Sequence, residues 1–186
     1  MIITISGKPG TGKTTVARIL ADRLKWKEYD IGQIRREIAK KKGMTIHEYN
    51  KLGETDPSTD KEVDEYQRKL GKTDNFVIQG RTSFLFIPHS LKIYLDVEDS
   101  VGAERIWKDY KNSPKERNEG TYHSIEQVKQ SIRERIASDK KRYRKYYNID
   151  CYDTSHYDLV IDTTKKVPEE TVDEIIAFAR KKGLNA

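Results

Sequence analysis

Gly7-Lys8-Pro9-Gly10-Thr11-Gly12-Lys13-Thr14 decides the fold of this chain. The stretch spells G-x-x-x-x-G-K-[ST], the phosphate-cradling P-loop. Its glycines let the backbone curl until successive N–H groups point inward at phosphate oxygens. Lys13 adds a mobile positive charge for the β- and γ-phosphates of ATP, and Thr14 offers a hydroxyl to Mg²⁺. The flanking sequence supplies the context the motif needs. Met1 to Ser6 reads as a buried strand. Thr14 to Lys25 reads as a helix with Val16, Ile19, Leu20 and Leu24 on one face. In that order of strand, loop and helix, the helix N-terminus also faces the phosphates. A chance glycine-rich turn explains neither flank.

At 186 residues the chain has length for one α/β domain with a substantial core. No stretch approaches a membrane span, and the first residues read as a strand rather than a signal peptide. The single cysteine, Cys151, excludes an internal disulfide framework and a cysteine metal site, and it fits a reducing cytoplasm. Charged residues make up 35% and the net charge is +6, which suits a polyanionic partner, either nucleotides or RNA. Composition alone favours the plainer reading of a well-solvated surface. A monomer is the expected state, because no exposed apolar patch pattern is evident.

No internal repeat or long linker interrupts the chain. Strand-like and helical segments alternate, which predicts a parallel sheet with helices on both faces. Lys27–Asp30, Asn75–Gln79, Leu91–Asp96 and Asp158–Asp162 are the further strands. Helices are expected over Ile31–Lys42, from a capping box at Thr45–Glu48, from Pro57 to about Leu70, and over Ser100–Lys108. Asp109 to His123 is polar and irregular, a loop of the length that is usually functional. A second capping box, Ser124–Gln127, starts a long basic helix reaching about Tyr147. Pro168 opens a last helix with Val172, Ile175, Ile176 and Ala179 as its apolar stripe, ended by Gly183.

A P-loop does not name the acceptor. Arginines are the best candidates, since a guanidinium grips phosphate bidentately. Arg81 stands out, because it follows an apolar strand and Gly80 at the carboxyl end of the sheet, where ligands bind. Arg36, Arg105, Arg133, Arg135 and Arg142 are the others, each alone readable as a solvated charge. Arg135, Asp139 and Arg142 share one helix face at i, i+4 and i+7. Tyr143, Tyr146 and Tyr147 on the same helix could stack on bases, though packing onto the core is the simpler role.

Taken in order, these landmarks make the chain resemble an archaeal-type cytidylate kinase, within the adenylate-kinase-like nucleoside monophosphate kinases. The landmarks are Ser6–Thr15, Asp30–Arg36, Lys42–Thr45, Asp56-Pro57 with Asp60 and Asp64, Gly80-Arg81, Ala103–Ile106, and Arg135 with Asp139 and Arg142. The resemblance implies a five-stranded parallel sheet, a helical monophosphate-binding insert over about 31–72, and a lid with the basic helix over about 109–147. Core segments would be 1–30, 73–108 and 148–186. Gly7, Lys8, Pro9, Gly10, Thr11, Gly12, Lys13, Thr14 and Thr15 then hold ATP, with Thr14 on Mg²⁺. Arg36 and Arg81 match arginines that grip the acceptor monophosphate. Arg135, Asp139 and Arg142 match the group at the acceptor sugar and the transferring phosphate, which makes Lys13, Arg81, Arg135 and Arg142 the catalytic set. Arg105 matches the lid. CMP or dCMP is the implied acceptor, with its base held by the insert, where Lys51, Asp60 and Asp64 are candidates.

Two positions depart from the family pattern. Gln79 stands where an acid usually precedes Gly-Arg and helps hold the Mg²⁺ water shell, and Asp96 is an alternative acid for that task. Gln33 replaces an acid of the Gly-x-Ile-x-Arg helix. Two other readings stay open. One is an adenylate-kinase-like ATPase acting with RNA or a ribosomal partner. The other is a kinase for another nucleotide or small molecule, such as a nucleoside or a shikimate-like compound, and a hydroxyl acceptor would need a general base that the sequence does not reveal.

Overall fold

A computed structural model describes residues 1–112 and 121–184 of the chain. Five parallel strands form one sheet in the order β2-β3-β1-β4-β5: β1 (Ile2–Gly7), β2 (Lys27–Asp30), β3 (Phe76–Gln79), β4 (Leu91–Asp96) and β5 (Leu159–Asp162). Every expected strand is present. A parallel sheet is covered on both faces, so its inner strands read as nearly continuous apolar runs. The two-residue period then divides the side chains. Ile3, Ile5, Val77, Ile93, Leu95 and Ile161 enter one core layer, while Ile2, Phe76 and Ile78 enter the other.

The first layer is closed by α1 (Lys13–Leu24) and α8 (Pro168–Lys181). In α1, Val16 and Leu20 are buried as expected, Ala17 and Ala21 complete the stripe, and Ile19 and Leu24 flank it. Val172, Ile175 and Ala179 of α8 are fully buried. Pro168 occupies the first turn of α8, where its missing N–H costs nothing. The second layer is closed by α2 (Ile31–Lys41) and α4 (Ser58–Leu70), with α3 (Ile46–Gly53) between them in the chain. The capping box of α3 forms: Glu48 N donates to Thr45 Oγ1 at 3.2 Å and Thr45 N donates to Glu48 Oε2 at 2.7 Å.

Two short elements escape the sequence reading, α5 (Ser83–Phe86) and a 3-10 turn at Thr154–His156. Four residues carry too few periods to show a pattern. Helix α6 (Asp99–Asn112) runs longer than expected and absorbs the first residues of the polar segment. Residues 113–120 of that segment, assigned above to the lid, lie outside the described residues. The box before α7 (Ile125–Tyr147) forms by half. Ser124 Oγ accepts from Gln127 N at 3.2 Å, but the Gln127 side chain accepts from His123 N at 2.7 Å instead of returning to Ser124. Tyr143 is buried with Phe84 and Cys151, and Tyr147 packs beside it, edge-on to Phe86. Those two rings serve the core rather than a stacking platform.

Candidate active site

The carboxyl ends of β1, β2 and β3 and the N-termini of α1 and α2 open onto one cleft of about 800 Å³. Backbone geometry makes its floor. Gly7 has φ +142 and Gly10 has φ +83, and a Cβ on either would fall 2.0 Å from Leu95 O or 2.3 Å from Gly102 O. Both positions therefore demand glycine twice over, by torsion and by space. Gly12 precedes α1 in the left-handed region without a side-chain cap, so no side chain competes for the leading amides. Lys13 Nζ donates to Gly7 O at 2.8 Å and to Thr11 Oγ1 at 3.1 Å, arching back over the loop it belongs to. Lys8 points the other way, to Asp96 at 3.1 Å and Asp99 at 3.4 Å.

The cleft gathers four of the six candidate arginines with the P-loop. Gly10, Gly12, Lys13, Thr14 and Thr15 line it together with Arg36, Arg81, Arg105 and Arg135. Arg36 is placed by the N-cap of α2. Asp30 Oδ1 accepts from Gln33 N at 2.8 Å, and Asp30 Oδ2 lies 3.5 Å from Arg36. Arg81 is fixed along its Nε edge, 2.6 Å from Asp139 Oδ2 and donating to Tyr152 OH at 2.9 Å.

Asp139 is the hub of this wall. Its Oδ2 also accepts from Tyr152 OH at 2.9 Å, and its Oδ1 accepts from Arg142 at 3.0 Å. Burial pushes the Asp139 carboxyl up, but the charges of Arg81, Arg142 and Arg135 outweigh it and hold the group below its ordinary range. Burial pushes the Tyr152 phenol well up, which keeps its proton in place for Asp139. The sequence reading missed Tyr152, because its contact with Arg81 spans 71 residues and its contact with Asp139 depends on how the chain turns back after α7.

Three placements differ from expectation. Arg142 is a buried group, with its side chain 1% exposed, and it does not line the cleft. It donates to Asn50 Oδ1 at 3.1 Å, to Asp139 and to Tyr143 OH at 2.8 Å, with Asp60 at 3.3 Å. A guanidinium so deep inside keeps its charge only among such acceptors. Asp139 is likewise fully engaged by protein groups rather than open to a sugar. Arg105, assigned above to the lid, is anchored to the core, donating to Thr163 O at 2.9 Å and Thr164 O at 3.3 Å beside the P-loop.

Behind Arg81 and Arg135 lies a recess of about 20 Å³ walled by Arg35, Asn50, Asp139, Arg142 and Tyr143. Space of that size holds a water molecule, not a pyrimidine ring. Of the base-contact candidates, Lys51 is 76% exposed and pairs with Glu54, so it faces away. Asp60 is buried against Arg35 and Arg142. Asp64 accepts a short bond from Tyr147 OH, and burial raises its carboxyl to about 6. Arg35 and Asn50 emerge as polar walls that sequence reasoning passed over.

On the donor side, Thr14 Oγ1 donates to Gln79 Oε1 at 3.2 Å. Two oxygens thus meet beside Lys13. Asp96, the alternative acid, is taken by Lys8 and by Val97 N. The described residues contain no cluster of three or more acidic, histidine or cysteine side chains able to cage a metal.

Fold and cleft together define a P-loop phosphotransferase of the nucleoside monophosphate kinase type. Shikimate kinase from Aquifex aeolicus shares the fold, with a TM-score of 0.58 at 23% identity and all of both chains covered. The sequence profile of the cytidylate kinase-like family matches residues 2–165, and the chain belongs to that family. It is 39% identical over 170 residues to cytidylate kinase of Pyrococcus furiosus, covering 91% of this chain and 83% of that one. Against cytidylate kinase of Methanocaldococcus jannaschii it is 40% identical over 170 residues, with 89% of each chain covered. The chain is an ATP-dependent kinase. Among the described residues no helix is long and apolar enough to cross a membrane.

Proposed function

We propose that the enzyme transfers the γ-phosphate of ATP to CMP or dCMP, giving ADP and CDP or dCDP. The observation that carries this reading is one cleft lined both by the P-loop and by Arg36, Arg81 and Arg135. Its acceptor is already an anionic phosphate, so the reaction needs alignment and charge neutralisation rather than a general base. Asp30, Glu37 and Asp109 line the cleft, with Asp30 capping α2 and facing Arg36 and Glu37 accepting from Gln33.

The P-loop amides and Lys13 hold the donor phosphates. Lys13 exchanges its loop partners for phosphate oxygens, which are better acceptors for an ammonium. Arg36 and Arg81 hold the acceptor phosphate in line. Arg135 neutralises charge as the phosphoryl group passes. Arg142 and Asp139 act one layer back, setting the position of Arg81 and the wall of the recess. Arg105 lies on the P-loop side, placed for the donor nucleotide. Thr14 supplies a hard oxygen, the donor chemistry Mg²⁺ takes when phosphates and water complete its shell, and the Gln79 carbonyl accepts the Thr14 hydroxyl proton beside it. When bound, Mg²⁺ neutralises charge on the donor phosphates.

The insert, about 31–72, closes over the acceptor, and the region about 109–147 acts as lid and basic helix. Closure then excludes water that would otherwise hydrolyse ATP. The enzyme works as a monomer in the cytoplasm. The test is steady-state ADP release with Mg²⁺ and CMP, dCMP, UMP or AMP, with acceptor-free and RNA-containing controls. Release that depends on CMP or dCMP is expected. Acceptor-independent release stimulated by RNA would overturn the reading.

A further inference from the structure

Three side chains from three elements meet on the metal side of the P-loop. Thr14 comes from α1, Gln79 from the end of β3, and Glu28 from edge strand β2. The β2–β3 register sets Asp30 opposite Gln79 and Glu28 opposite Val77. Glu28 and Gln79 therefore share a face of the sheet as diagonal neighbours. The hydrogen bonds run in one direction. Thr14 Oγ1 donates to Gln79 Oε1 at 3.2 Å, and Gln79 Nε2 donates to Glu28 Oε1 at 3.1 Å.

Direction matters because of what a hydroxyl must do to bind a cation. It must turn a lone pair to the metal and send its proton elsewhere. A carboxylate beside Thr14 would take that proton in any orientation, since it only accepts. A glutamine has two unlike faces, and the wrong one would present N–H to the hydroxyl. Thr14 would then accept, and its proton would point at the metal. Glu28 removes the ambiguity. An ionised carboxylate draws the amide N–H, which leaves the carbonyl toward Thr14 and the Thr14 lone pairs toward the cleft.

We propose that Glu28 is a positioning residue for the metal site, holding the Gln79 amide in the one orientation that lets Thr14 ligate a divalent cation. The proposal rests on the reading of Thr14 as the metal's protein ligand. It explains how this chain keeps a metal site with an amide at position 79. The carboxylate sits one strand outward, on β2, and acts through Gln79. Asp96 does not line the cleft, and its Oδ1 faces Lys8.

The experiment measures the affinity of the enzyme for a non-hydrolysable ATP analogue by calorimetry, with Mg²⁺ and with EDTA. The ratio of the two affinities reports the metal alone and needs no acceptor, so it is independent of which monophosphate is used. In Glu28→Leu the ratio falls by about 10-fold, the lower end for loss of a ligand-orienting partner, while the metal-free affinity stays unchanged. In Glu28→Leu/Gln79→Glu the ratio returns toward wild type, because a carboxylate at 79 needs no orienting partner. Glu28 lies half-exposed on an edge strand, so both variants are expected to fold, checked by circular dichroism. Should Glu28→Leu not fold, Glu28→Gln carries the same comparison with a smaller loss. A Glu28→Leu ratio within twofold of wild type overturns the proposal, and so does a loss that Gln79→Glu fails to restore. A wild-type ratio of one overturns the Thr14 metal site and the proposal with it, and leaves the CMP reading to its own turnover assay.

Discussion

Replacing Asp139 by Asn tests the wall of the acceptor site most severely. The change keeps the shape and removes one charge from a group that is 1% exposed. Two oxygens now serve Arg81, Tyr152 and Arg142. Asparagine offers one oxygen and an NH₂ group, so either Arg142 or the Arg81–Tyr152 pair faces a donor. Two guanidinium groups, Arg142 buried and Arg81 at the cleft wall, also lose their shared counter-charge. Removing one partner of a buried ion pair costs about 3–5 kcal/mol. For a chain of this length that lowers Tm by about 6–20 °C, at roughly 2–4 °C per kcal/mol. Urea unfolding followed by circular dichroism measures the loss directly. The pH dependence carries a sign. The folded-state carboxyl is held below its ordinary value of 3.8, so its contribution is full above that value and is lost as pH falls below it. The gap between wild type and variant is therefore constant at neutral pH and narrows in acid. A loss under about 1 kcal/mol at pH 7 would refute the hub, since that is the worth of an ordinary exposed pair.

Lys13→Met abolishes turnover by at least about 100-fold while the melting curve stays near wild type, because the lysine serves phosphate rather than the core. Arg81→Ala raises the KM for the monophosphate by about 30-fold, from the loss of about 2 kcal/mol of charge-assisted hydrogen bonding, and leaves ATP affinity within a few-fold. Asp64→Asn stabilises the protein at pH 8 but not at pH 4. Burial raises the wild-type carboxyl from 3.8 to about 6, so ionising it costs the folded state up to about 3 kcal/mol as pH rises through that window. Equal unfolding free energies of wild type and Asp64→Asn at pH 8 would contradict burial of the ionised Asp64 carboxylate as the cause.

The legible part of this molecule is the part that is local in sequence. The P-loop declares itself because torsion, charge and hydroxyl lie within eight consecutive residues, between a strand and a helix that the apolar periods mark plainly. Arg81 is legible for a related reason, since the end of a parallel strand in an α/β sheet faces the ligand. The remainder depends on registers that no local pattern encodes. Glu28 meets Gln79 only because β2 lies beside β3 with Asp30 opposite Gln79. Tyr152 reaches Arg81 across 71 residues, and Asn50 reaches Arg142 across 92. The spacing of Arg135, Asp139 and Arg142 puts them on one helix face, but not at one depth. Arg135 lines the cleft, whereas Arg142 is sealed beneath it by α3 and α4. Depth is a property of packing between helices, which the sequence of one helix does not contain.

The central claim is that this cleft moves a phosphoryl group from ATP to a nucleoside monophosphate rather than to water. Incubation with γ-labelled ATP, Mg²⁺ and CMP, followed by anion-exchange separation of the products, tests it most directly. The account predicts the label in the β-phosphate of CDP, with little in inorganic phosphate. Label recovered as inorganic phosphate, at the same rate with and without CMP, would contradict it.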